Sequence, residues 1–178
     1  MSTPSLDFDP STVSLPQGHF IGGTYYSADE TPIAVYRPSD GQLLGYIPDA
    51  CTATIDYAVS NAVQAWKTSG WATQPPRDRA KVLSRWADLI DRHAVSLAQL
   101  EAVSSTRPVA EAYASDVPFT AEAIRFFAEL ADKLGGDFVA TRRDSVGFVA
   151  SEPYGVIGAI APWNFPLHLL IDPIIGAL

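Results

Sequence analysis

The sequence predicts a protein of the α/β or α+β class whose sheet is unfinished, and two observations support this prediction. Short alternating apolar runs come first, helical periodicities follow, and short apolar runs return near the end. No complete strand–helix–strand series is present. The 178 residues are 47% hydrophobic and 18% charged, which is an ordinary composition for one globular domain or for part of a larger one.

Two β-hairpins are predicted near the N-terminus, after a polar arm over residues 1–16 that is rich in Ser, Thr and Pro. In the first hairpin, Gly22-Gly23 joins Phe20-Ile21 to Tyr25-Tyr26. In the second, Asp40-Gly41 lies between two longer apolar runs, and Asp-Gly in that position is typical of a tight turn.

Helices are predicted in the middle of the chain. The first has Thr54 as its N-cap, and the second starts near Pro76 because proline suits the first helical turn. Pro108 and Pro118 mark two further starts, and Gly135-Gly136 is expected to end the last helix in a left-handed conformation. The expected apolar face of the second helix consists of Val82, Trp86, Leu89, Ile90, Leu97 and Leu100.

Strands return after the helices. Phe138–Arg143 and Val146–Ser151 are predicted as strands joined by a turn at Asp144-Ser145, and Tyr154–Ile160 is predicted as a third. The apolar run Leu167–Leu178 ends without a cap or a polar tail, so we expect the parent polypeptide to continue.

The charge and cysteine content exclude some classes of partner. A net charge of -8 argues against nucleic acid, which needs clustered Lys and Arg, and Arg142-Arg143 is interpreted as a solvated turn. The single cysteine, Cys51, allows no intrachain disulfide, and nothing in its sequence neighbourhood indicates a lowered thiol pKa, so we interpret it as structural. The N-terminus lacks the basic and apolar regions of a secretory leader, and a cytoplasmic location is expected.

The segment after the third predicted strand carries the candidate chemistry. A buried strand, Val156–Ile160, would deliver a short loop whose ends are stiffened by Pro162 and Pro166. Open α/β sheets bind ligands at the carboxyl ends of their strands. In this loop Asn164 offers an amide N–H that can stabilise a developing oxyanion, and Trp163 offers a flat apolar surface.

Residues 152–166 resemble the aldehyde dehydrogenase family, in which an E-P-x-G-V-x-G strand leads into P-W-N-F-P. Weaker flanking matches follow the family's order at Phe20–Gly23, Tyr36–Gly41, Leu100–Pro108, Asp116–Pro118 and Ala123–Ala128. The resemblance implies an α/β fold, the N-terminal part of an aldehyde dehydrogenase-like fold: an incomplete Rossmann-like cofactor domain with an oligomerisation hairpin. Its expected parts are a flexible arm (1–16), hairpins and helices of the cofactor domain (17–136), the oligomerisation hairpin (137–153) and the start of a truncated α/β core (154–178).

The resemblance also implies a function. The parent enzyme would oxidise an aldehyde to a carboxylic acid with NAD or NADP, through a thiohemiacetal on a cysteine that lies beyond this chain. Asn164 matches the family's oxyanion-stabilising asparagine, and Ile160, Ala161, Pro162 and Trp163 match positions that line the nicotinamide site. No metal ligand is assigned. The parent would be a homo-oligomer, a dimer or a tetramer, whereas the 178-residue segment alone is expected to be inactive.

The chain departs from the family pattern at several places. Thr106-Arg107 replaces Gly-Lys before a proline, Asp172-Pro173 stands where Trp-Lys is usual, and Gly176 stands where proline is common. These departures leave open the turn before Pro108 and the helix after the motif. Gly155 and Gly158 do not form G-x-G-x-x-G and are interpreted as strand glycines required by close packing.

Several alternatives stay open at this point. Asn164 could cap a helix that starts near Phe165, and His168 could face a substrate channel or simply lie on a helix surface or in the core. The whole chain could be a non-catalytic binding or assembly module. A membrane anchor over Tyr154–Leu178 is disfavoured by its polar residues and prolines. The particular aldehyde and the choice between NAD and NADP are not specified by these residues.

Overall fold

The computed structural model describes residues 5–27 and 30–178, so the first four residues of the predicted arm lie outside it. The described residues form three antiparallel two-stranded sheets and six α-helices. The strands are β1 (His19–Ile21), β2 (Thr24–Tyr26), β3 (Pro32–Tyr36), β4 (Leu43–Pro48), β5 (Asp137–Arg142) and β6 (Ser145–Val149). The helices are α1 (Thr52–Thr68), α2 (Pro76–Arg92), α3 (Ala94–Ser105), α4 (Val109–Glu111), α5 (Val117–Leu130) and α6 (Pro166–Ile175).

Both N-terminal hairpins are confirmed. β1 pairs with β2, and β3 pairs with β4. The second turn is held by Arg37, whose buried guanidinium donates to the Asp40 carboxylate at 2.6 and 3.1 Å and to Gln42 Oε1 at 2.8 Å. Gly41 has a φ of 70°, a left-handed conformation that glycine adopts without steric cost.

The N-terminus of α1 differs from the prediction. Cys51, not Thr54, occupies the N-cap position. Thr54 lies buried in the first turn and donates its hydroxyl to the carboxylate of Glu30, which also accepts from the backbone N–H of Cys51 at 3.1 Å. A carboxylate is a stronger acceptor than a threonine hydroxyl, and that of Glu30 satisfies one backbone donor at the helix end, the N–H of Cys51.

The environment of Cys51 also differs from our interpretation. Its thiol is exposed, and its Sγ lies 3.5 Å from the Thr54 hydroxyl oxygen. Hydrogen bonding to Thr54 lowers the thiol pKa below its ordinary value. The expectation that nothing near Cys51 lowers its pKa is therefore wrong.

The second predicted helix begins at Pro76 as expected but is two helices in the structure. α2 ends at Arg92 and α3 begins at Ala94. The buried face of α2 consists of Leu83, Ala87 and Ile90, whereas Leu89 is 45% exposed. The spacing of the three buried residues places them on the side of α2 that packs against α5.

The core lies between α2, α5 and α6. Its buried residues are Leu83, Ala87, Ile90, Ala98, Ala112, Val117, Ala121, Ile124, Ala128, Ile171 and Ile175. α4 runs into α5 through one wide π-helical turn, Ala112–Asp116. α6 continues through Pro173 to Ile175, and its buried Ile171 and Ile175 face the core, so Asp172-Pro173 does not break the helix.

The chain between α5 and the C-terminal hairpin corrects two further predictions. α5 ends at Leu130, and neither Gly135 nor Gly136 has a positive φ, so the left-handed stop is wrong. A Cβ at Gly136 would collide with the carbonyl oxygen of Val149, which explains a glycine at the open end of this hairpin. β5 and β6 are confirmed, but their turn is Arg143-Asp144, one residue earlier than predicted.

The predicted strand Tyr154–Ile160 is not a strand in the structure. No strand of the described residues pairs with it, and a strand needs a neighbour for its backbone N–H and C=O groups. A Cβ on Gly155 would meet Trp66 only at 3.9 Å, an ordinary contact, and nothing lies within 4 Å of one on Gly158, so the close-packing interpretation is wrong for both. Glycine is required at position 155 by its φ of 94°. In the part of the chain that the structure describes, no helix has the length and apolar character needed to cross a bilayer.

Candidate active site

The candidate site is the loop that joins the segment 154–162, which belongs to no helix or strand, to α6. Trp163 and Asn164 form a turn, and α6 starts at Pro166. Phe165, with φ -144°, occupies the N-cap position and makes no side-chain capping hydrogen bond. Asn164 therefore does not cap α6, and the capping alternative for this residue is wrong. Its side chain is exposed.

Trp163 anchors the loop on one side of Asn164. The indole Nε1–H of Trp163 donates to the carbonyl oxygen of Ser104 at 2.8 Å. Within an α-helix that carbonyl would accept from the residue four positions later, but this residue is Pro108, which has no N–H. The tryptophan side chain thus satisfies a carbonyl that the sequence leaves without its helical partner.

Phe165 anchors the loop on the other side. The guanidinium carbon of Arg107 lies 4.6 Å from the centroid of the Phe165 ring, which is cation–π geometry. Ser104 and Arg107 both belong to the segment 104–116, which runs from the end of α3 to the start of α5 and which we call the α3–α5 corner. The residues before and after Asn164 are therefore both held by the α3–α5 corner.

The four residues that were matched to the cofactor site lie together just before Asn164. Ile160 is 99% exposed, Pro162 is exposed, and Ala161 is half-buried. Trp163 is 63% exposed even though its indole N–H is hydrogen-bonded, so it presents most of its surface outward. These residues form an accessible apolar strip.

A cavity of about 410 Å³ adjoins the loop. It is lined by Arg107, Ser115, Asp116, Phe119, Phe165, His168 and Leu169. Aromatic faces with a few polar groups are typical of a small-molecule pocket. Because Phe165 directly follows Asn164, the cavity and the exposed amide lie on neighbouring parts of the chain.

A network of charges forms the α3–α5 corner. Arg107 donates from Nε and Nη2 to the two oxygens of buried Asp116, at 2.7 and 3.1 Å. Its Nη1 lies 3.0 Å from Glu111 Oε2. Hydrogen bonding to Asp116 raises the pKa of Arg107 above its ordinary value, so the guanidinium stays charged.

Thr106, just before Arg107, has a φ of 64°, so this turn adopts the left-handed conformation that favours glycine.

Glu101 lies buried on α3 beside this network. It is 3% exposed, and neither carboxyl oxygen has a hydrogen-bond partner among the described residues. Burial and, to a smaller extent, the negative charge of Asp116 together raise the pKa of Glu101 to about 7, although the positive charge of Arg107 opposes the shift. Glu101 therefore carries a proton over much of the acidic pH range.

This shift predicts a stability change that Glu101→Gln should remove. A raised folded-state pKa favours the folded protein below the ordinary value near 4.5, and this advantage is lost as pH rises through about 7. From pH 5 to pH 8, the free energy of unfolding measured in urea should fall by about 1–3 kcal/mol more in the native chain than in Glu101→Gln. The exposed Glu122→Gln should behave like the native chain, and parallel curves for all three proteins would contradict the prediction.

His168 lies on α6 against the same cavity. Its ring makes an edge contact with Phe119 at 4.5 Å between centroids, and its Nε2 lies 3.6 Å from Asp172 Oδ2. Its Nδ1 is buried without a hydrogen-bond partner among the described residues. His168 is largely buried, as the core alternative predicts, and it also lines this cavity; a contact with substrate stays a prediction.

Comparisons with known proteins place the chain in a family. The model of the aldehyde dehydrogenase family matches residues 25–178. The aminoacetaldehyde dehydrogenase of Pseudomonas aeruginosa is 33% identical over 171 residues, which cover 94% of this chain and 34% of that protein. The NADP/NAD-dependent aldehyde dehydrogenase PuuC of Escherichia coli is 36% identical over 151 residues, or 84% of this chain and 30% of that protein.

Solved structures give the same result for the fold. The indole-3-acetaldehyde dehydrogenase AldA of P. syringae, in complex with NAD+ and IAA, superposes with a TM-score of 0.87 at 31% identity. The match covers 94% of this chain and 35% of that one. The chain belongs to the aldehyde dehydrogenase family, with its α/β fold, and it spans about a third of the length of the relatives that it matches. The family resemblance of residues 152–166 is thereby confirmed.

Glu101, Arg107 and Asp116 are not among the site residues predicted from the sequence. One signal was available, because Glu101 follows Leu97 by four residues and so places a carboxyl group on the apolar side of α3. A charged residue on a buried helix face needs a partner or a proton. Arg107 and Asp116 could not be paired from the sequence, because the π-helical turn between them changes the helical spacing.

Proposed function

We propose that the protein to which this chain belongs oxidises an aldehyde to a carboxylic acid with NAD+ or NADP+. The observation that carries the proposal is an exposed Asn164 amide, held between two anchored aromatic residues in a family-specific P-W-N-F-P loop. The amide would donate to the oxygen that becomes negative when a nucleophile adds to the aldehyde carbonyl. Membership of the family supports this role.

The residues before Asn164 would form one wall of the cofactor site. The accessible strip of Ile160, Ala161, Pro162 and Trp163 would contact the nicotinamide ring. NAD(P)+, when bound, supplies the acceptor for the two electrons that leave the aldehyde. Relatives and neighbours whose descriptions name NAD+ or NADP support this cofactor class.

The cavity beside Phe165 would hold the remainder of the aldehyde. Phe119, Phe165 and Leu169 supply apolar contacts, and the charges of Arg107 and Asp116 neutralise one another at its edge. A cysteine nucleophile and a general base would come from protein beyond residue 178, so we propose that these 178 residues alone do not turn over aldehyde. The sole cysteine of the chain, Cys51, occupies the N-cap position of α1, whereas the candidate loop directly precedes α6.

The test is to express the complete reading frame that contains this chain and to screen aliphatic, aromatic and amino-substituted aldehydes with NAD+ and with NADP+. Formation of NAD(P)H, followed at its absorbance band, with one carboxylate formed per NAD(P)H is the expected result. A folded product of the complete frame that reduces neither cofactor with any aldehyde would overturn the proposal. The 178-residue chain, expressed alone, is the matched negative control.

A non-catalytic assembly module is the second candidate, and the C-terminal hairpin favours it. Every residue of β5 and β6 except Gly147 is exposed, including Phe138 and Phe148, whose rings meet edge to face. The outer edge of each strand offers unpaired backbone groups to a partner. We propose that this hairpin contributes to a homo-oligomer, a dimer or a tetramer, and sedimentation of the complete protein tests that assembly. An assembling protein without dehydrogenase activity would favour the module over the enzyme.

A further inference from the structure

Arg107 stands at the point where the chain departs from its family and where the structure holds the candidate loop. The family pattern has Gly-Lys before the proline, and this chain has Thr106-Arg107. Thr106 keeps a left-handed backbone in spite of its side chain, since its φ is 64°. The turn before Pro108 thus has a conformation that glycine adopts without steric cost, and a guanidinium stands where the family pattern has a lysine ammonium.

The edge of the guanidinium is fully engaged by carboxylates. Nε and Nη2 bind Asp116, and Nη1 binds Glu111. No nitrogen of Arg107 is left without a carboxylate partner, so the group is poorly placed to bind an anionic ligand. Its central carbon lies over the Phe165 ring, 4.6 Å from the centroid, so the contact with Phe165 is made in addition to the bonds with the carboxylates.

The loop is consequently held at both of its aromatic residues by one element. Trp163 donates to Ser104 and Phe165 lies under Arg107, so the α3–α5 corner contacts the residue on each side of Asn164. We propose that Arg107 is a positioning residue, which fixes Asn164 by clamping Phe165 against the α3–α5 corner. This inference rests on the proposed catalytic role of Asn164.

Lysine cannot reproduce this contact. A lysine ammonium is a compact point charge, whereas the planar guanidinium binds a carboxylate with two parallel hydrogen bonds and stacks on an aromatic ring at the same time. Arg107→Lys, which restores the family residue, is therefore the informative variant. It keeps the positive charge but lacks the planar group that binds the Asp116 carboxylate through two hydrogen bonds while it contacts the Phe165 ring.

The first measurement reports how often the loop opens and does not depend on catalysis. In the 178-residue chain labelled with 15N at its tryptophan indoles, the Trp163 N–H signal is identified by its loss in Trp163→Phe. Exchange of this N–H with solvent should be about 3- to 10-fold faster in Arg107→Met than in the native chain, because the loop opens more often once the cation–π contact between Arg107 and Phe165 is lost. Arg107→Lys should show a smaller acceleration in the same direction.

Arg125→Met is the matched control. Arg125 is also a partly buried arginine that bridges two carboxylates, those of Asp88 and Asp91, but it joins α5 to α2. It should leave the Trp163 exchange rate unchanged. If Arg107→Met does not fold, Phe165→Leu removes the stacking partner instead and should accelerate the same exchange. Unchanged exchange in Phe165→Leu and in any folded Arg107 variant would overturn the proposal.

The second measurement uses the product of the complete reading frame. Arg107→Lys should lower kcat by about tenfold with an unchanged KM for NAD(P)+. A displaced Asn164 amide would stabilise the transition state less well, whereas cofactor binding would be little affected. Faster indole exchange together with an unchanged kcat in an active enzyme would overturn the positioning role. If the native enzyme oxidises no aldehyde, the proposed function fails, and the exchange measurement still decides whether Arg107 holds the loop.

Discussion

Replacement of Asn164 by alanine in the product of the complete reading frame is expected to lower kcat by about 10²–10³-fold, the usual cost of removing one oxyanion donor. The affinity for NAD(P)+ should change little, because the side chain is exposed at the turn and does not cap α6. Steady-state kinetics with the best aldehyde, together with a cofactor titration, measure both quantities. Gln64→Ala, which removes an exposed amide from α1, is the matched control and should leave kcat unchanged.

Two outcomes would contradict this role for Asn164. An unchanged kcat would show that the amide does not meet the reacting oxygen. A parallel loss of kcat, cofactor affinity and thermal stability would show that the residue holds the loop and does not act on the transition state.

The second large effect is expected in the core of α2. Ile90 is 6% exposed and its neighbour Leu89 is 45% exposed, although both were expected on one apolar face. Ile90→Ala removes buried methyl groups and leaves a cavity between α2 and α5, which should lower the free energy of unfolding by about 2–5 kcal/mol. Leu89→Ala should lower it by less than about 1 kcal/mol.

Urea unfolding of the two variants, followed by far-UV circular dichroism, provides the comparison. The two substitutions remove side chains of the same size from adjacent positions, so the difference isolates burial. Equal losses of stability would mean that the buried face of α2 is assigned incorrectly.

Local chemistry explains which parts of the fold were predictable from the sequence. Gly22-Gly23 and Asp40-Gly41 specify turns through backbone conformations that few other residues adopt, and both hairpins form where they were expected. Pro76 starts α2 for an equally local reason, because its missing N–H costs nothing in the first helical turn.

The failures have tertiary causes. The carboxylate of Glu30 acts at the start of α1, so Thr54 is not the cap that its position suggested. The predicted strand Tyr154–Ile160 lacks a pairing partner in the described residues, and an apolar run alone cannot form a sheet. Among the predicted site residues, Asn164 and its four predecessors are brought together by sequence adjacency, but their roles stay predictions.

The support of the loop could not be read from the motif itself. Trp163 and Phe165 were visible in the sequence, yet their partners Ser104 and Arg107 lie about sixty residues earlier in the chain. Only the packing of α6 and the loop against the α3–α5 corner brings these residues into contact. The departure Thr106-Arg107 could be noticed from the sequence, but its consequence for Phe165 could not.

Each of the three sheets joins two strands that are consecutive in the chain. Closing such short loops costs little conformational entropy, so each hairpin can form on the microsecond timescale without waiting for the others. The docking of α2 on α5 joins more distant parts of the chain. Cooperative refolding should therefore be governed by this helix pair, while substitutions within the hairpins should mainly accelerate their local opening.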